Sequence, residues 1–158
     1  MLTLVACVVV SELAGIIGSV FTTPSIGTWY AGLAKPSFNP PAWVFGPVWT
    51  TLFLLMGVAL YLVWTKRTGF LFFSNKKIGL AVGIFGVQLV LNTLWSILFF
   101  GLHSPGAALA EIVFLWLAIL GTIVAFYKIS KPAAYLLVPY IAWVSFAVVL
   151  NYMLWRLN

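Results

Sequence analysis

Along the chain, long apolar stretches alternate with short polar breaks. Five stretches stand out, at about 3–21, 43–64, 78–101, 106–126 and 133–155. A bilayer's hydrocarbon core takes about 20 apolar residues of α-helix to cross, and each of the five is long enough. None alternates polar with apolar residues as a barrel strand must, and backbone groups in lipid have to pair within their own segment. The pattern therefore predicts an all-α integral membrane protein, a five-transmembrane-helix bundle formed as one domain over residues 1–158, with a long loop at 22–42. Pro105 and Pro132 each stand just before an apolar stretch, where proline suits a first helical turn. The short breaks there make helices three and four, and four and five, antiparallel neighbours.

Composition removes the soluble alternative. With 64 % hydrophobic and 6 % charged residues, too little charge is present to cover a soluble surface. The net charge of +6 is spread over the ends of apolar stretches, which suits membrane orientation and not nucleic-acid binding. Lys66, Arg67, Lys76, Lys77, Lys128 and Lys131 fall on the side of the N-terminus, and only Lys35 and Arg156 on the other. The positive-inside rule then puts the N-terminus in the cytoplasm or its equivalent, and the 22–42 loop outside. The N-terminus lacks a basic leader region, so the first stretch reads as a retained span. Cys7 is alone, which excludes an intrachain disulfide and a cysteine metal cluster. His103 reads as a solvated turn residue, and no metal constellation, nucleophile–base pair or phosphate loop points to a hydrolase or ATPase.

Several helix faces carry candidate chemistry. Gln88, Asn92, Trp95 and Phe99 share one face of the third span. Two amides in lipid must face protein, water or a ligand, so interhelical hydrogen bonding and ligand contact both stand. Pro139, Trp143, Ala147 and Asn151 form a slowly turning stripe on the fifth span, read either as packing or as a cavity wall with room beside Ala147. Trp49, Phe53, Met56 and Leu60 make a third stripe, either core or ligand wall. Glu12, mid-way along the first span, is a structural carboxyl or a functional one. Glu111 lies about one turn inside the fourth span, within reach of the interface. Gly79 and Gly83 form a GxxxG pair that suits a dimer seam or packing inside one bundle. Leu150, Tyr152 and Arg156 fit the loose pattern proposed for sterol contact, which an interfacial aromatic belt also explains.

The loop is the most unusual stretch: "WYAGLAKPSFNPPAWVFGPVW", residues 29–49, rigid with proline and rich in aromatic rings. Prolines lower the entropy lost on closing, and the rings offer flat apolar area, so the stretch reads as a lid or, without a guest, as an interfacial belt. Lys35 there offers a charged contact to an acidic ligand group. Together with "QLVLNTLWSILFFG" and "VPYIAWVSFAVVLNYMLWR", and with five spans over the same length, this stretch resembles the TspO/MBR family of translocator proteins.

That resemblance implies a pocket among the helices, capped by the first loop, that binds porphyrin or haem, sterol-like molecules, or isoquinoline- and benzodiazepine-type ligands. Carried over by position, the pocket takes Tyr30 and Pro40 from the loop, Trp49 and Phe53, then Asn92 and Trp95 with Gln88 beside them, and Trp143 and Ala147. It implies no required cofactor and no metal, a homodimer, and a cell membrane in a prokaryote or the mitochondrial outer membrane in a eukaryote. Three activities remain open at this level: tetrapyrrole transport or sensing, light-dependent porphyrin breakdown at Trp95 and Trp143, and proton-coupled export through Glu12.

Overall fold

The computed structural model describes residues 1–66 and 76–158, so Arg67 and most of the 65–77 loop lie outside the described residues. Within them the helices are α1 (Leu2–Ile26), α2 (Trp29–Gly32), α3 (Ala42–Trp64), α4 (Lys76–Ser96), α5 (Pro105–Tyr127), α6 (Lys131–Leu136) and α7 (Val138–Leu157). Five continuous or nearly continuous stretches are long and apolar enough to cross a membrane: Leu2–Ile26, Ala42–Trp64, Lys76–Gly101, Pro105–Tyr127 and Lys131–Leu157.

Three local features depart from the expected bounds. First, α1 continues through residues 22–26, which the sequence pattern assigned to the loop, with Pro24 inside it. Its last turn is tied to the rest of the bundle: Ser25 Oγ donates to the Phe100 carbonyl at 2.8 Å, and Thr28 Oγ1 donates back to the Pro24 carbonyl. Second, α4 ends in a π-helical turn, Ile97–Gly101, where Leu102 N–H donates to the Ile97 carbonyl. The wider turn ends at Gly101, where an added Cβ would lie 3.0 Å from the Phe21 ring. His103 follows in the left-handed region, φ 50°. Third, the fifth span is stepped at Leu137, between α6 and α7, because Pro139 lacks the N–H that a continuous helix would use.

The helices meet closely where glycine allows it. A Cβ at Gly57 would lie 2.5 Å from Val8 Cα, and one at Gly15 the same distance from the Phe53 ring, so α1 and α3 are in near contact at both levels. Such approach is a main source of helix association in lipid, where apolar burial alone gives no drive. At the end remote from the lid loop, the bundle is filled by Met56, Ala59, Val63, Phe85, Ile119, Phe126 and Tyr140, with Phe85 and Phe126 stacked at 5.7 Å. Leu2, Val5, Val20, Leu80, Val90 and Phe114 are among the large apolar side chains left on the outside, as lipid requires. Gly83 and Gly86 of α4 also face outward, with nothing within 4 Å of an added Cβ.

Candidate ligand site

The loop end of the bundle is organised by polar clamps. Asn151, fully buried on α7, accepts from Trp95 Nε1 at 3.0 Å and donates to the Pro105 carbonyl at 2.8 Å. An indole nitrogen can only donate, so this pairing also sets which way the amide points. One side chain thereby joins α4, α5 and α7. Asn92 Nδ2 donates to the Tyr140 hydroxyl at 3.0 Å, a second link between α4 and α7.

Residues 29–41 close over this end. Tyr30 is 5 % exposed, packs against Phe45, Phe99 and Phe100, and donates to Asn39 Oδ1 at 2.7 Å. Burial pushes its phenol pKa up. Trp29 stacks on His103 at 4.4 Å, and His103 Nε2 lies 3.3 Å from Ser25 Oγ, so His103 joins the lid to α1. Asn158 clasps Ala34 through two hydrogen bonds. Lys35 bonds the Ala31 and Leu33 carbonyls and sits 4.9 Å over the Tyr30 ring, holding the loop's own shape.

Beneath the lid lies a cavity of about 300 Å³. Its walls are Phe45, Trp49 and Phe53 from α3; Asn92, Trp95, Phe99 and Phe100 from the third span; Trp143, Ala147, Leu150 and Asn151 from α7; and Tyr30 above. The remaining wall is the face of α1 that carries Glu12, Gly15, Gly18, Ser19 and Thr22. Exposed Ile16, Ser19 and Thr23 on α1, with exposed Gly46 and Thr50 on α3, form a rim between these two helices. The cavity therefore opens sideways between α1 and α3, above the crossing at Gly15. Stacked Trp95 and Phe99, 5.0 Å apart, present a flat face on the opposite side.

Of the residues carried into the pocket by resemblance, Tyr30, Trp49, Phe53, Asn92, Trp95, Trp143 and Ala147 converge on this cavity. Gln88 and Pro40 do not line it. Gln88 is 1 % exposed one turn below, with Nε2 3.6 Å from Met56 Sδ and Oε1 unpartnered. Pro40 stays in the loop, where its carbonyl accepts from Asn39. The stripes divide in the same way: Met56 and Leu60 are core, and Pro139 lies on an outer groove beside Pro47 and Leu52. Leu150 turns into the cavity while Tyr152 and Arg156 are exposed, so these three residues do not form one surface. Glu111 does not reach the interface; it is 7 % exposed, with both carboxyl oxygens unpartnered. Sequence reasoning missed Phe45, although it lies four residues before Trp49 on the same stripe. It also left Glu12 unplaced, although Gly15, Ser19 and Thr22 mark its face as small and polar. Tyr140 carried no local signal of its bond to Asn92. Among the described residues, no three of His, Cys, Asp and Glu gather as a metal site would need.

Five apolar helices and a lidded, aromatic-walled cavity define a multi-pass membrane protein with an internal cavity. The chain belongs to the TspO/MBR family, whose model matches residues 7–156. It is 46 % identical to the tryptophan-rich protein TspO of Chlorobaculum tepidum, over 99 % of this chain and 96 % of that one. Identity to the Archaeoglobus fulgidus protein of the same name is 47 %, over 99 % and 97 %. The human translocator protein is 44 % identical, over 90 % of this chain and 82 % of its own.

Proposed function

We propose that the protein is a membrane receptor or carrier for flat, largely apolar molecules of the tetrapyrrole class, porphyrin or haem, held between the aromatic walls under the 29–41 lid. The observation that carries this reading is the convergence of Trp49, Trp95 and Trp143, from three separate spans, on one cavity. Ring stacking supplies about 0.5–1.5 kcal/mol per good pair beyond burial, and Asn92 gives orientation. The volume is at the lower end of the range for ligand pockets, so a tetrapyrrole is seated with one edge in the opening between α1 and α3, or with the lid displaced. Sterol-like and benzodiazepine-type ligands fit the same apolar walls. The cluster of Lys66, Lys76, Lys77, Lys128 and Lys131 remote from the lid supports a cytoplasmic, or equivalent, side for that end.

Protoporphyrin titration in detergent, followed by tryptophan quenching, tests the assignment. Trp143→Ala and Trp49→Ala are expected to weaken binding about tenfold each, on the order of one lost stacking contact with its burial. Unchanged affinity in both variants removes the site. Light-dependent porphyrin breakdown is a second reading, favoured by Trp95 and Trp143 both facing the cavity. Illumination in air of the porphyrin complex should then yield a new absorbing product that the Trp95→Phe/Trp143→Phe double variant does not form; equal product from both rejects it.

A further inference from the structure

We infer that Glu12 makes the deep end of the cavity a receptor for the amine of an apolar ligand, so that the site selects hydrophobic amines over their neutral isosteres. The inference rests on the cavity reading above and deepens it.

Glu12 and Ile26 both line the cavity, and the fourteen helical steps from one to the other span about 21 Å. The cavity thus runs from the lid to a carboxyl deep in the first span. Among the described residues no donor pairs with Glu12, and no Lys, Arg or His lines the cavity. Lys35, the lysine of the lid itself, bonds the Ala31 and Leu33 carbonyls. Each asparagine amide is anchored through one of its two N–H groups, Asn92 to Tyr140 and Asn151 to the Pro105 carbonyl. On the α1 wall, Ser19 and Thr22 give their hydroxyl protons to their own helix, at the Ile16 and Gly18 carbonyls. What that wall offers a guest is the Glu12 carboxyl and the hydroxyl oxygens of Ser19 and Thr22.

An unpaired carboxyl in lipid is costly, and an ammonium group removes that cost by a charge-assisted hydrogen bond. The balance is the same by either route: a neutral acid passes its proton to a neutral amine, or a carboxylate meets an amine already protonated. The Phe53 ring, against Gly15 one helical turn from Glu12, adds an aromatic face beside the cation. An acidic group on a ligand is disfavoured at this depth and is turned toward the lid. Glu12 therefore sets both the class of guest and its direction.

Two fluorescent probes of nearly equal shape test this: 1-pyrenemethylamine and 1-ethylpyrene, each titrated into the detergent-solubilised full chain and read by energy transfer from tryptophan. In the parent protein the amine is expected to bind about tenfold more tightly than its isostere once detergent partitioning is subtracted, the order of one charge-assisted hydrogen bond. Glu12→Gln and Glu12→Ala should each remove that preference and leave 1-ethylpyrene within twofold, while Glu12→Asp retains part of it. A preference that persists in Glu12→Gln, or an equal loss of both probes, overturns the inference. Ala147→Trp, which fills the cavity, separates the two levels. If both probes still bind there, the cavity reading itself is wrong; if both are lost, the Glu12 comparison judges the carboxyl alone. Melting followed by tryptophan fluorescence establishes that each variant is folded.

Discussion

Replacing Gly57 with alanine tests the contact that sets how closely α1 and α3 pack. The new Cβ would sit 2.5 Å from Val8 Cα and 3.0 Å from Val8 N, both backbone atoms that no rotamer can move. Carbon atoms pack at about 3.5–4.0 Å, so the two helices must part by roughly 1 Å. Overpacking of this kind costs about 1–3 kcal/mol, against a gain of about 0.5–1 kcal/mol from exchanging glycine for alanine inside a helix. The net expectation is a loss of about 1–2 kcal/mol. Gly86, inside α4 and followed by Val87, has nothing within 4 Å of an added Cβ, so the identical change there keeps only the favourable part. Unfolding both variants in mixed micelles of rising SDS fraction, followed by tryptophan fluorescence, should separate them by about 2 kcal/mol in opposite directions from the parent. Two variants within about 0.5 kcal/mol of each other would mean that the Gly57–Val8 crossing is not a rigid contact.

Gly15→Ala meets the Phe53 ring, not backbone, at 2.5 Å, and that ring borders empty space. It should cost less stability than Gly57→Ala but push Phe53 into the cavity and weaken porphyrin binding; a quenching titration equal to the parent's rejects this. Tyr30→Phe removes the 2.7 Å bond to Asn39, worth about 1 kcal/mol. Because burial raises the Tyr30 pKa above 10.0, its stabilisation is complete below about pH 10 and is lost as pH rises through the raised value. Melting temperatures from pH 8 to 12 should fall more steeply in the parent than in the variant, and parallel curves contradict the assignment. We also propose that the outward stripe of Leu80, Gly83, Val87 and Val90 meets a second copy. Gly83→Cys in a Cys7→Ser background should form a disulfide dimer on oxidation in membranes, and no cross-link at either position 83 or 87 excludes that seam.

Hydropathy along the chain determined the five spans, because crossing a bilayer is a requirement each segment meets by itself. Periodicity determined which residues share a face, and it grouped Asn92 with Trp95, Trp49 with Phe53, and Trp143 with Ala147. Tertiary structure decided how far along each face the cavity extends. Gln88 and Met56 belong to the first two stripes yet lie one turn beyond the cavity in packed core, while Pro139, of the third, is turned onto an outer groove. A period gives direction around a helix axis and says nothing of depth along it; depth follows from where partner helices touch. The length of α1 was likewise hidden, since Pro24 reads as a break until Ser25 is seen bonded to the Phe100 carbonyl, 75 residues away in sequence. Glu12 shows the same division: its place in an apolar span is local information, while the empty volume it faces is made by side chains from four other helices.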